Sequence, residues 1–345
     1  MAATIYDVAK RAGVSTATVS KVLSNTPYVS EATRAKVLAA VAELGYVPSL
    51  AARGLTKART YLLALVIPYT SDYLYSDPHL LELFRGIEQE TRAREYQILL
   101  STADRKMAGA HAVESAAEPY QRAVRSQYAD GVIVVASSAF GSETPPPLAQ
   151  QLPTVGIGYH ALGGRHTVHS DDRSGAAAAT RHLLALGHRR IGVITAVPQI
   201  TALLRRLEGH RQALAEAGVP WDPALMVWGD FSDASGYRAV EPLLALPHRP
   251  TAIFSFNDRM AMGAIKRLRE AGLRVPEDVS VVGFDDIPAA AFFDPPLTTV
   301  RQPAREMGVA AARLLFDLIE GRPAEAEEIV LPTELVVRSS TGRLA

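Results

Sequence analysis

The sequence predicts an all-α headpiece followed by an α/β body of two doubly wound, parallel-sheet lobes. Three observations predict it. Residues 4–46 fall into three short helical patterns set off by capping residues and glycine, enough for one small helical module. From Tyr61 onward, short apolar runs alternate with longer amphipathic stretches, as parallel strands covered by helices do. With 345 residues the chain exceeds one ordinary domain, so a small module plus a two-lobed body is the natural partition.

In the first helix Ile5, Val8, Ala9 and Ala12 recur at i, i+3, i+4 and i+7, one face of a 3.6-residue turn. Thr4 caps it, and Asp7 three positions on completes a capping box. Gly13 supplies the permissive backbone of a sharp turn, which Val14 plugs. Ser15 then caps a second helix with Val19, Val22 and Leu23 inward. No carboxylate stands at this N-terminus, so its N–H groups and positive end are open to a phosphate. The outward residues Thr16, Ala17, Thr18, Ser20 and Lys21 are short or flexible enough for the backbone to enter a DNA major groove about 12 Å wide. Ser30 caps a third helix, with Val37, Leu38, Val41 and Leu44 inward and Gly45 at its end. The string reads as a helix-turn-helix that binds duplex DNA. Thr16, Ala17 and Lys21 are its base-reading candidates, Lys21 through guanine O6 and N7 and Ala17 through a thymine methyl. Ser15, Thr18, Ser20, Asn25 and Tyr6 are candidates for the phosphate backbone.

Charge is distributed to match. The net charge is zero, yet residues 1–60 hold eight Lys/Arg against three Asp/Glu, leaving 28 against 33 for the rest. The absence of cysteine excludes disulfides, thiolate metal sites and cysteine nucleophiles. No N-terminal signal segment and no apolar run of membrane-spanning length is present, so a soluble cytoplasmic protein without a membrane partner is expected.

After the third helix, Pro48-Ser49-Leu50-Ala51-Ala52-Arg53-Gly54-Leu55 has the length of two helical turns, too short to be stable alone in water. Residues 4–55 resemble the headpiece and hinge of the lactose/galactose repressor family of bacterial transcription regulators. The resemblance rests on TIYDVAKRAGVS, STATVSKVLSN, VSEATRAKV and LGYVPSLAARGL, in that order. It implies that two hinge helices, one per subunit, order together in the minor groove. Leu55 matches the family leucine that wedges into a central base step, and Ala52 and Arg53 match its neighbouring contacts.

In the body, strands are expected at 62–67, 97–100, 131–135, 154–157, 191–195, 252–255, 279–282 and 297–300. Helices are expected at about 80–94, 116–127, 174–186, 203–217, 234–245, 257–271 and 303–320. The family resemblance continues through LLALGHRRIGVI, RRLEGHRQAL, FSFNDRMAMGAIKRLREAGLRVPEDVSVVGFDD, PPLTTVRQP and LPTELVVRSS. It implies a periplasmic-binding-protein-like body with a ligand in the cleft between lobes and three chain crossings near 161, 295 and 325. The expected domains are 1–46 (headpiece), 47–60 (hinge and linker) and 61–345 (effector binding and dimerisation). Within the last, one lobe holds about 61–161 and 295–325, the other 162–294 and 326–345.

Open parallel sheets bind ligands beyond the carboxyl ends of their strands, so residues following strands carry most weight. Asp285 does so and matches the family aspartate that accepts hydrogen bonds from the effector; a carboxylate there can take two sugar hydroxyls. Asn257 fits a ligand contact, whereas Asp258 reads equally as a contact or as a helix N-terminal charge. Arg206 stands where the family places an effector-binding arginine, although its helical position also suits a solvated side chain. Phe231 matches an aromatic that closes over the ligand; stacking on a sugar face and burial in the lobe core both remain open. The loop beginning PYTSDYLYSDP is about five residues longer than is usual in the family and brings Tyr69, Tyr73 and Tyr75. Tyr73 and Tyr75 are its effector-contact candidates, with Tyr69 and His79 behind them, against an elongated surface loop. Gly158 replaces an aspartate that contacts ligand in some relatives, so no relative's specificity transfers directly.

Enzymatic readings fare poorly. His160, His166 and His169 near Ser170, Asp171 and Asp172 lack the spacing of a helical metal motif. Asp285 and Asp286 are adjacent, and neighbouring side chains at a strand end point apart. No cofactor, metal or catalytic residue is expected. The expected function is a sequence-specific transcriptional regulator, a repressor by resemblance, binding a near-palindromic operator in double-stranded DNA as a homodimer. Its small-molecule effector is expected to be a mono- or disaccharide in the cleft. A purine- or nucleoside-responsive regulator is the alternative; a solute-binding protein is a further one, opposed by the headpiece. No leucine heptad follows Arg338, which favours a dimer over a tetramer.

Overall fold

The computed structural model describes residues 3–23, 29–46, 59–67, 71–102, 128–135, 152–158, 166–196, 200–324 and 326–344. Two compact units emerge, Met1–Tyr61 and Leu62–Ala345, each with its own core.

The first unit contains α1 (Ile5–Ala12), α2 (Thr16–Leu23) and α3 (Glu31–Leu44). The Thr4 backbone N–H donates to Asp7 Oδ2 at 2.8 Å while the Asp7 N–H reaches back to Thr4 Oγ1 at 3.4 Å, closing the expected capping box. Gly13 ends α1 with φ +69°, and an added Cβ would meet nothing within 4 Å, so backbone conformation alone calls for glycine. Ser15 and Ser30 accept the N–H groups of Thr18 and Thr33 at 3.2 and 3.3 Å, capping α2 and α3. Val8, Ala9, Val19, Val22, Val37 and Ala40 form the core. Leu38, expected inward, is instead 49 % exposed. The run VLAAVAEL is apolar nearly all round the helix, and the buried stripe takes Val37, Ala40, Val41 and Leu44, leaving Leu38 a quarter-turn off it.

The body's first sheet comprises β1 (Leu62–Ile67), β2 (Gln97–Thr102), β3 (Gly131–Val135), β4 (Thr154–Ile157), β5 (His166–Ser170) and β11 (Glu328–Leu331). Its order is β11-β5-β4-β3-β1-β2, parallel throughout. The second comprises β6 (Ile191–Thr195), β7 (Met226–Trp228), β8 (Ala252–Ser255), β9 (Ser280–Asp285), β10 (Thr298–Arg301) and β12 (Glu334–Val336). Its order is β12-β10-β9-β8-β6-β7, with only β12 antiparallel. Strands such as GVIVV and AIFS are buried along their whole length, as a sheet covered on both faces requires.

Helices α4 (Ser71–Ser76), α5 (Pro78–Ala93), α6 (Asp172–Ala185), α7 (Thr201–Glu216), α8 (Asp233–Leu244), α9 (Asp258–Glu270), α10 (Pro288–Phe292) and α11 (Ala304–Ile319) complete the described body. Three helix pairs cross at glycine. A Cβ on Gly308 of α11 would strike the Leu83 carbonyl of α5, one on Gly209 of α7 the Arg173 carbonyl of α6, and one on Gly263 of α9 the Asp233 carbonyl of α8. The expected helix 116–127 lies outside the described residues. Among the described residues no helix is long and apolar enough to cross a membrane.

The crossings between lobes differ from expectation. β5 belongs to the first sheet and α6 packs on α7 in the second lobe, so the first crossing is at Asp171, not near 161. β10 pairs with β9, and α11 packs on α5, so the second lies at 302–303, not near 295. β11 and β12 belong to different sheets, which puts the third at 332–333, not near 325. The three passes are bonded sideways: the Asp171 N–H donates to Leu331 O at 2.8 Å, Thr333 Oγ1 to Asp171 O at 3.1 Å, and Ser170 Oγ to Gln302 Oε1 at 2.7 Å.

Candidate functional site

In the headpiece, α2 presents exposed Ser15, Ala17 and Lys21, with Thr16, Thr18 and Ser20 half-buried beside them. Its first turn contains no acid. Ser15 and Thr18 hold each other, their hydroxyls 2.9 Å apart, which fixes the entry to the helix. Tyr6 stands 74 % exposed on α1. Asn25, Ala52, Arg53 and Leu55 lie outside the described residues.

In the body, strand ends and helix starts of both lobes surround a cavity of about 750 Å³. From the first lobe come Asp77, His79, Leu80 and Leu83 at the start of α5, with Val135, Ile157 and Ser170 at the ends of β3, β4 and β5. From the second come Leu203 and Arg206 on α7, Phe231 after β7, Asn257 after β8 and Asp285 at the end of β9. Gln302 and Met307 flank the second crossing.

Five polar side chains close a ring on this wall. Arg206 Nε donates to Asp172 Oδ1 at 2.7 Å. Ser170 Oγ lies 3.3 Å from Asp172 Oδ2 and donates to Gln302 Oε1. Gln302 Nε2 donates to Asp285 Oδ1 at 2.6 Å, and that oxygen lies 3.9 Å from Arg206 Nη1. Arg206 also donates to the Phe256 carbonyl and stacks 3.7 Å from the Phe284 ring centroid, so a nearly buried guanidinium is held in one orientation. Burial raises the Asp285 carboxyl to about 6, with His79 and Arg206 pulling against the rise and Asp77 adding to it. Asp285 and Phe231 both adopt positive φ, +119° and +70°, a backbone strain that the surrounding bonds must hold.

Among the sequence-derived candidates, the cavity brings together His79, Arg206, Phe231, Asn257 and Asp285. Phe231 serves both readings, lining the cavity and packing on the lobe core. Asn257 caps α9 through Met260 N–H at 2.9 Å and donates to Phe231 O at 3.0 Å, fixing the aromatic's backbone. Asp258 is neither ligand contact nor exposed helix charge: it is fully buried, accepting from Ile287 N–H at 2.9 Å and from Thr299 Oγ1, and burial raises its carboxyl well above the usual range. Asp286 turns away to Arg338 and Arg301, at 2.6 and 2.8 Å. Tyr75 is a correction: it sits on α4, is 67 % exposed and does not line the cavity. The extension that carries it folds as a helix whose end turns this ring outward. Tyr73 is on the same helix, its side chain outside the described part, as is Tyr69. The sequence reading missed Asp77, Asp172 and Gln302. Gln302 follows β10 and was open to the same strand-end rule, and Asp77 precedes Pro78 as the cap of α5.

The comparisons agree with this architecture. The model of bacterial regulatory proteins of the lacI family matches residues 4–49, and a periplasmic binding protein-like domain matches 180–341. The HTH-type transcriptional regulator CelR of Thermobifida fusca is 37 % identical over 346 residues, covering 98 % of both chains. A solved CelR–cellobiose complex superposes with a TM-score of 0.72 at 34 % identity, covering 98 % of this chain and 99 % of that one. The lac repressor dimer bound to operator and an anti-inducer gives 0.85 at 28 % identity, with both chains fully covered. With a helix-turn-helix unit, a two-lobed body and a full-length relative above 30 % identity, the chain belongs to the lacI family of bacterial regulatory proteins.

Proposed function

We propose that this chain is a cytoplasmic transcriptional regulator that binds a near-palindromic operator as a homodimer and responds to a sugar held in the interlobe cleft. The observation that carries the reading is one chain joining a helix-turn-helix with an acid-free recognition-helix start to a cleft ringed by hydrogen-bonding side chains at strand ends. Thr16, Ala17 and Lys21 read bases, while Tyr6, Ser15, Thr18, Ser20 and Asn25 grip the backbone. Ala52, Arg53 and Leu55 enter the minor groove. Two-fold symmetry is needed because one short helix reads only a few base pairs. In the cleft, Asp285 and Arg206 meet sugar hydroxyls and Phe231 covers a sugar face. The CelR–cellobiose complex supports a sugar as ligand. Ligand binding biases the angle between lobes and, through the hinge, the affinity for DNA.

Selection from random duplexes should enrich a near-palindrome, and a sugar that raises the melting temperature should alter affinity for it. Enrichment without sequence preference would overturn the regulator reading. Stabilisation by nucleosides alone would transfer the effector assignment to them.

A further inference from the structure

Asp258 is a fully buried carboxyl that does not line the cleft, yet its side chain is bonded to the strands that carry the site. It opens α9 directly after β8. Its Oδ2 accepts the Ile287 N–H at 2.9 Å, two residues beyond Asp285, and its Oδ1 accepts the Thr299 hydroxyl from β10. At the end of β9 the chain makes two left-handed steps, Asp285 at φ +119° and Asp286 at +57°, which non-glycine residues keep only where the surroundings fix them. Arg301 and Arg338 hold the Asp286 side chain, and Asp258 holds the main chain just beyond it. Room for this comes from Gly283 on β9, where a Cβ would fall 2.2 Å from Asp258 Oδ1 and 2.9 Å from a Leu297 methyl. Without Asp258 the Ile287 N–H would be left unpaired in a buried place, and the turn would shift to find it an acceptor.

We infer that Asp258 is a positioning residue for the effector: from behind the cleft wall it fixes the Asp285–Asp286 turn through the Ile287 N–H, and so sets the direction in which Asp285 offers its oxygens to ligand hydroxyls. The bond to Thr299 serves a different end, tying α9 to β10 without touching the turn. The two bonds of one carboxyl therefore divide into one that binding needs and one that stability needs. This inference rests on Asp285 being a contact for a sugar in the cleft.

Calorimetric titration of the full chain with glucose and cellobiose between about pH 5 and 8, well below the melting temperature, tests it in wild type and four variants. Asp258→Ala deletes the hold and Gly283→Ala displaces it. Each should weaken the sugar about tenfold or more at neutral pH and flatten the loss of affinity below about pH 6 that an Asp285 contact imposes. Asp258→Asn keeps an oxygen for Ile287 and turns an N–H to Thr299, as the protonated carboxyl favoured by burial would, and should hold affinity within about threefold with the wild-type pH profile. Thr299→Val removes only the other bond, so it should lower the melting temperature and leave both affinity and profile in place. Wild-type affinity and profile in a folded Asp258→Ala or Gly283→Ala overturns the inference. If neither of those folds, a tenfold loss in Asp258→Asn or in Thr299→Val overturns it, because the residue is then merely structural. If neither sugar binds wild type, the sugar-effector reading fails and takes this inference with it.

Discussion

Asp285 is nearly buried and His210 fully so, and both titrate away from their usual values, in ways that oppose each other. Burial raises the Asp285 carboxyl to about 6. The folded chain therefore keeps this proton where the unfolded chain has lost it, and the associated stability disappears as pH rises through 6. The interval from the usual 3.8 to about 6 corresponds to about 3 kcal/mol. Asp285→Asn should raise stability at pH 7 by up to about 3 kcal/mol in a denaturant titration while abolishing the effector response. In wild type, effector affinity should fall about tenfold per pH unit below 6 and level off above 7, because hydroxyl donors need the ionised carboxylate. A flat profile would remove Asp285 from the contact.

His210 titrates the other way. Thr180 Oγ1 spends its hydrogen on the Ala176 carbonyl at 2.8 Å, so His210 Nδ1, 2.9 Å away, is the donor to it. Nε2 is then bare, buried without a partner against Trp221 and Phe254. Burial, aided by Arg211, lowers the imidazole to about 4. The unfolded chain takes up a proton below 6.5 that the folded chain refuses, so up to about 3 kcal/mol should be lost between pH 6.5 and 4. His210→Phe should remove that loss, as read from melting temperatures across the window. At this scale the strand-end rule made Asp285 legible, whereas Arg206, inside α7, was legible only through the family resemblance. Tyr75 misled because composition says which loop is rich in aromatics but not which side of its helix faces the cleft.

At the scale of elements, the eight expected strands fell where their apolar runs put them, but the three-residue β7 (Met226–Trp228) and β12 (Glu334–Val336) were too short to stand out. β5 (HTVHS) and β11 (EIVL) escaped because polar and charged residues interrupt their pattern. Those two short, paired strands carry the chain to its first and third crossings, so missing them displaced the lobe boundaries. The helix pairs were legible as amphipathic stretches, but not their closeness, which depends on glycine meeting a neighbouring backbone. Gly308→Ala should cost about 1–3 kcal/mol in chemical denaturation, because the new methyl meets the Leu83 carbonyl and not a side chain that could move. Gly321→Ala, with nothing within 4 Å, is the control for crowding, although its φ of +71° adds a strain of its own.

Across the whole molecule, the split of charge has a measurable signature. Eight of the 36 Lys/Arg and only three of the 36 Asp/Glu lie in residues 1–60. Operator affinity should drop by orders of magnitude between about 50 and 200 mM salt, while binding of a neutral effector in the same protein barely changes. Fluorescence anisotropy for the first and calorimetry for the second would show the separation, and parallel slopes would contradict it.

The three crossings, bonded side by side at Asp171, Gln302 and Thr333, act as the knuckles of a piano hinge. One strap would let the lobes swivel freely, whereas three in a row resist twist and leave a single easy bend. Ser170 and Gln302 belong both to those knuckles and to the ring that ends on Asp285. Whatever occupies the cleft therefore presses on the same bonds that tie the three passes together.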